Sequence, residues 1–539
     1  MYRVFVVLTV AGMLARGGWA AIDQHDHGVE LGTVRFPVSC SAGAQKTFER
    51  GVALLHSFWY EEAERSFAET TRTDPGCAMG YWGIAMTHYH PVWEPPKPAE
   101  LVKGSAAVES AKAAGPTTPR ERDYVAAIEA FYKGSDRVPH GERALAWRNA
   151  MQRLAASYPE DREASIFYAL SLIGTAPATD KTYANQKQAA AILNRILPEQ
   201  PNHPGIAHYM IHSYDSPQLA SLALPAARSY ARIASGAPHA LHMPSHIFVR
   251  LGLWQDSIES NIASARAAKE HIERASPGTA AQDQLHAMDY LAYAYLQTCR
   301  DEDARKVVDE AAAVSKVDQE VFQTAYALAA IPARYSLERR RWEEAAALTV
   351  RPANFPWAQF RYAESITHFA RALGAARTGN PAAARSEIEI LATIQKSLAG
   401  RQGYDWATQV EVQHQGALAW AALAEGDREG ALRWMRSAAD LEDRSEKHPV
   451  TPGAVLPARE LLGDMLLEMK RPAEAKVEFE AVLQGAPKRF NATYGAARAA
   501  ELSGDAKRAG ARYTELLELC GPAAKRPEAQ AARIFLQKR

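Results

Sequence analysis

The sequence predicts an all-α fold, a solenoid of repeated helix pairs. Alanine is abundant and β-branched residues are sparse, a composition that favours helix over strand. Small and aromatic residues recur at matching offsets in distant stretches. With Ala44 as position 1, Gly51 falls at 8, Ala63 at 20, Phe67 at 24 and Pro75 at 32. With Leu456 as position 1, Gly463, Ala475, Phe479 and Pro487 fall at the same four offsets. The length, 539 residues, exceeds one ordinary domain but suits a repeat array.

Residues 1–20 read as a secretory signal peptide. Arg3 precedes a short apolar run, and Gly18-Trp19-Ala20 places small residues where a signal peptidase reads. The run is too short to span a bilayer, and no later stretch is apolar enough to do so. The mature protein is therefore expected outside the cytoplasm, periplasmic or secreted. Residues 21–43 form an extended lead-in. The first helix–turn–helix unit starts at Ala44 and the second at Ala78, and His56 and His90 are equivalent positions in them. The proline-rich PVWEPPKPAE (91–100) interrupts the second helix of that next unit. Less regular helices follow through ERDYVAAIEAFYK and DREASIFYALSLIG into a histidine-rich region. Later units begin near RRRWEEAAAL, GNPAAARSEIEIL and EGDREGALRWMRSAADLE, and the unit from Leu456 is the most regular. About a dozen helix pairs result. The expected division is an N-terminal half over 44–320, which holds the histidine-lined groove, and a C-terminal array over 321–539.

The 34-residue spacing, with small residues at 8 and 20 and an aromatic at 24, resembles the tetratricopeptide repeat (TPR) superfamily. That resemblance implies a helix–turn–helix solenoid wound into a right-handed superhelix, with a concave groove lined by the first helix of each pair, a surface on which such folds bind peptides or other proteins. The motifs HPGIAHYMIHSYD (203–215) and HALHMPSHIF (239–248), with LLHSFWYEEA and EKHPVTPGAVLPARELLGD, are also similar to those of exported bacterial TPR-containing proteins. This second likeness implies fold and export and carries no activity.

Seven of the 17 histidines (His203, His208, His212, His239, His242, His246 and His286) lie between residues 203 and 286, where even scatter would put fewer than three. The second helices set the register. Ala226 and Tyr230 at 20 and 24 place His208 at 2 and Asp215 at 9. Ser257 and Asn261 at 20 and 24 place His239, His242 and His246 at 2, 5 and 9. Ala304 at 20 places His286 at 2 and Asp289 at 5. In the TPR fold these positions face the groove, and residues three or four apart share one helix face. Imidazoles from adjacent repeats can therefore converge.

Neutral imidazole with carboxylate is the ligand set of zinc, copper or iron outside thiolate sites. The candidate ligands are His208, His212, His239, His242, His246 and His286. Asp215 and Asp289 are candidates for a ligand, for a group that orients an imidazole, or for a general base. His56 and His90 are secondary groove candidates. His203, in PNHPG, reads as a linker residue, and His88 at position 11 as a core residue. His271, His368 and His414 read as structural. Ser245 reads as a small packing residue, the Trp59–Glu62 stretch as a helix junction, and HPVTPG (448–453) as a loop that caps a helix, in preference to one that closes over the groove. Glu163, Phe167 and Tyr168 share a helix and could lend a carboxylate and a phenol to the same cavity.

Two functions fit these features. One is an exported metal-binding protein, in enzymatic form a metal-dependent hydrolase or oxidase acting on a small molecule or peptide. The other is a TPR interaction scaffold without metal or catalysis. Net charge is zero, with 62 basic and 62 acidic residues, which excludes a nucleic-acid footprint. No GxSxG, HExxH, phosphate loop or dinucleotide fingerprint occurs. Of four cysteines, Cys40 and Cys77 are the expected pair, while Cys299 and Cys520, far apart in sequence, are expected unpaired. No CxxC motif exists.

Overall fold

The computed structural model describes residues 29–538 apart from positions 94, 178, 402 and 523. The expected signal peptide and the start of the lead-in lie outside these residues. The described chain is all-helical: 26 α-helices and two short 3₁₀ turns, with sequence neighbours packed against one another. No described helix is long and apolar enough to cross a membrane.

The repeat pattern has a steric cause. Helix Ala42–His56 crosses helix Tyr60–Thr73 where Gly51 meets the Phe67 ring. A Cβ on Gly51 would stand 2.6 Å from that ring, so glycine is what lets these two helices cross over Phe67. The same pairing recurs between helices Ala458–Glu468 and Pro472–Gly485, where a Cβ on Gly463 would lie 2.7 Å from Phe479. Turn residues close the units: Asp405, Asp427 and Asp505 each cap the helix that follows by accepting a backbone N–H.

The lead-in is anchored. Phe36 is fully buried against Phe48, Trp82 and Tyr124. Cys40 is bonded to Cys77, as the sequence suggested. Cys299 is bonded to Cys520, which corrects the expectation that the two stay apart. The separation of 221 residues is misleading because the superhelix brings helix Gln282–Gln297 against helix Phe490–Leu502.

The apolar core forms two large clusters, one running from Leu31 to Phe248 and the other from Val249 to Ala499. The histidines sit where the two meet. An open groove was expected there, yet the winding closes it. Helix Ala42–His56 touches helix Pro204–Tyr214, and the segment around 447–454 lies across the opening. That segment was read as a helix cap in preference to a closure of the groove; it is the closure, a strap held by Asp215, Tyr290 and Arg334. The Tyr290 hydroxyl donates to the Val450 carbonyl (3.1 Å), Lys447 pairs with Asp215 (3.2 Å), and Arg334 donates to the carbonyls of Gly453 and Ala454 (2.8 and 3.0 Å).

Candidate metal centre

Three elements carry the candidate ligands. Helix Pro204–Tyr214 presents His208 and His212 one turn apart. The second stretch is helical over Pro238–His242 and again over Pro244–Leu251, and it presents His239, His242 and His246. Helix Gln282–Gln297 presents His286. All six imidazoles were expected to converge, and they do, in two sets of three. His208, His212 and His239 form one set and His242, His246 and His286 the other, with one ring nitrogen of each residue within 4.8 Å of those of its partners. The sets adjoin: ring centroids are 6.0 Å apart for His239–His242 and 6.1 Å for His212–His246.

The rings are buried, contrary to the groove-facing expectation. His208 is 0 % exposed, and His239, His242, His246 and His286 are no more than 6 % exposed. His212 alone is half-buried. Aromatic residues wall the sets: Phe58 lies 4.3 Å from His208, Trp93 5.5 Å from His239, and Tyr290 4.6 Å from His242. Burial, reinforced by neighbouring imidazoles, holds the pKa values of His208, His239, His242 and His286 well below the ordinary value and that of His212 at about 3. Burial also lowers His246, against the opposing pull of Asp215. Neutral imidazole, the form that binds a metal, therefore prevails near neutral pH.

Outer partners fix which nitrogen faces inward. His208 Nδ1 donates to the His56 backbone carbonyl (2.6 Å). Asn261 donates its amide to Ser257 O (2.7 Å), so its carbonyl oxygen accepts from His242 Nδ1 (2.6 Å). His246 Nδ1 donates to Asp215 (3.1 Å). Burial alone would raise the Asp215 pKa, but Lys447, Arg250 and His246 hold it well below the usual carboxylate range. The Nε2 atoms then point at each other, 3.1 Å apart for His208–His212 and 3.0 Å for His242–His246. His239 is buried with neither ring nitrogen hydrogen-bonded.

Other expected residues are placed differently. Asp289 does not join the histidines; it is buried and paired with Arg334 (3.0 Å), the residue that grips the strap. His90 lies beside Tyr60 and Trp93 and is in neither set. His56 supports the site through its carbonyl, while its ring donates Nε2–H to Glu163 (2.9 Å) and accepts from Tyr209. His203 is no exposed linker residue: it is buried and bonded to the other Glu163 oxygen (2.8 Å). The proline and glycine of HPG begin helix Pro204–Tyr214 hard against His56, where a Cβ on Gly205 would stand 2.6 Å from its Nδ1.

Asn261 and Tyr290 were missed. Asn261 carried a signal, an amide at position 24 where other units place Phe67, Tyr230 or Phe479. Tyr290 carried none, since its partner Val450 is 160 residues away.

A cavity of about 360 Å³ reaches the outer edge of the first set. It is lined by His212, Asp215, Arg250, Lys447, Trp93 and Tyr404, among others. Its size suits a small molecule.

No protein-family model and no curated protein matches the chain. Among solved structures, it is similar to a tetratricopeptide repeat protein from Parabacteroides merdae, at 14% identity and TM-score 0.30, over 56% of this chain and 97% of that one. It is also similar to the P58(IPK) TPR domain (11%, 0.21, over 87% and 100%) and to the human IFIT1 dimer with m7Gppp-AAAA (12%, 0.37, over 82% and 90%). The TPR-like solenoid itself is evident in the paired helices and the glycine–phenylalanine crossings of this chain.

Proposed function

We propose that this chain is a metalloprotein that holds a transition-metal ion (zinc, copper or iron) among its six clustered imidazoles and exposes the centre to a small molecule through the cavity at His212. The observation that carries this reading is the His242–His246 pair. Both Nδ1 atoms are committed as donors, so two Nε2 lone pairs face each other at 3.0 Å in a buried site. Facing lone pairs repel unless a cation lies between them, and burial disfavours a proton there. Two nitrogens bonded to one ion at ~2.0–2.1 Å stand about 3 Å apart. Oriented imidazoles with their other nitrogen hydrogen-bonded are the usual support of metal ligands.

A peptide lying along an open TPR groove would need these rings exposed, and all but His212 are buried. Asp215, near the cavity and tied to His246, is the carboxylate best placed to orient a ligand. Whether the centre acts as a hydrolase or an oxidase depends on which ion it holds.

The test is elemental analysis of the full-length mature protein, purified without a histidine tag or chelator, beside a His208→Ala/His242→Ala/His246→Ala variant. We expect near-stoichiometric metal in the wild type and its loss in a variant that keeps its helical circular dichroism. A wild type that carries no metal, and takes up none from added zinc, copper or iron, would overturn the reading.

A further inference from the structure

We infer that the six imidazoles hold two copper ions, one in each three-histidine set, as an adjacent pair. This rests on the metal reading above and goes beyond it in number and identity.

The number follows from how the ligands are grouped. Each set repeats one plan: two histidines a turn apart, His208/His212 or His242/His246, with Nε2 atoms 3.1 or 3.0 Å apart, and a third, His239 or His286, from the next segment. Each set alone can surround an ion with three nitrogens. The first set carries an independent mark of a missing partner, since His239 is buried with both nitrogens unbonded. A buried imidazole without a partner is costly unless something ligates it. The ring spacings of 6.0 and 6.1 Å between sets fall within the span of those inside a set, 4.2 to 6.2 Å. Two ions so placed would be near enough to share a small bridging ligand.

The identity follows from charge. All six ligands are neutral, and the carboxylate that contacts them, Asp215, already faces Arg250 and Lys447. Two divalent ions would bring four positive charges into a buried pocket that supplies no anionic ligand, a large desolvation cost. Univalent copper halves that charge, accepts imidazole, and is satisfied by three neutral donors.

The experiment uses full-length, untagged protein stripped of metal by dialysis against a chelator. It is titrated under nitrogen with copper(I) acetonitrile complex against a colorimetric copper(I) chelator. Wild type should bind two equivalents, and His212→Gln/His239→Gln and His246→Gln/His286→Gln one each. After oxidation with ferricyanide, each double variant should give an isolated copper(II) electron paramagnetic resonance signal of one spin per chain. The wild-type signal should be broadened or diminished by its neighbour. This wild-type readout stands even if a variant fails to fold. One equivalent in wild type with an unbroadened signal overturns the pair while leaving a single metal site. Two equivalents of zinc with no copper(I) uptake overturn the copper assignment. No uptake of any metal removes the underlying reading as well.

Discussion

Asn261 shows how one residue can decide whether a histidine is available. Its carbonyl oxygen takes the Nδ1 proton of His242 and so turns Nε2 toward His246. Asn261→Leu should leave a buried N–H without an acceptor and the ring free to turn. The loss of such a partner weakens metal binding by roughly 10- to 100-fold, read by competition titration, and Asn261→Asp should restore most of it. Unchanged affinity in the leucine variant would mean that His242 is not a ligand. Another histidine, His368, read as structural from the sequence, is buried and paired with Glu364 and Glu387. Burial pulls its pKa down, but Glu364 and Glu387, the latter 2.6 Å from Nδ1, pull it up by more, so the folded value lies above the ordinary 6.5. A raised histidine stabilises the fold fully below its unfolded pKa and ceases to do so as pH rises through the folded one. Urea midpoints of the wild type should therefore fall as pH rises above about 6.5, and His368→Gln should flatten that decline.

At the scale of helices, the register was legible because second helices announce themselves. Ala226 with Tyr230, Ser257 with Asn261, and Ala304 located positions 2, 5 and 9 of their first helices, and the six histidines named from those positions and their neighbours form the two sets. What the register could not convey is what each helix packs against. His203 read as a linker residue because PNHPG is a common stretch between TPR repeats, yet the helix that starts there is pressed against His56 through Gly205. This distinction is measurable. In the first turn of an exposed helix, glycine to alanine is neutral or stabilising. Gly205→Ala should instead cost about 1–3 kcal/mol, because its Cβ overpacks a buried ring. It should also weaken metal binding, since His56 carries the carbonyl that orients His208. Chemical denaturation and the competition titration read the two effects, and a stabilised variant would contradict this account of the motif.

Over the whole molecule, the burial of the site was the least legible feature, because the contacts that close it join residues more than a hundred positions apart. Asp289 sits at a groove position and was taken for a site carboxylate, but it serves the closure by holding Arg334, whose other donors grip the Gly453 and Ala454 carbonyls. Removing one partner of such a buried pair leaves an uncompensated charge. Arg334→Met should therefore cost about 3–5 kcal/mol, with much of it recovered in the Arg334→Met/Asp289→Asn double variant. The strap also predicts a kinetic effect separable from stability. It covers the second histidine set through the bond from Tyr290 to Val450, and Tyr290 packs on His242, His246 and His286. None of residues 449–454 belongs to either three-histidine set. Replacing them with glycine and serine of equal length should leave equilibrium metal affinity nearly intact. It should, however, speed extraction of the metal by an external chelator, tenfold for every ~1.4 kcal/mol taken from the opening barrier. If extraction keeps its wild-type rate, the ion leaves by the His212 cavity alone and the strap is only a brace between the two halves of the superhelix.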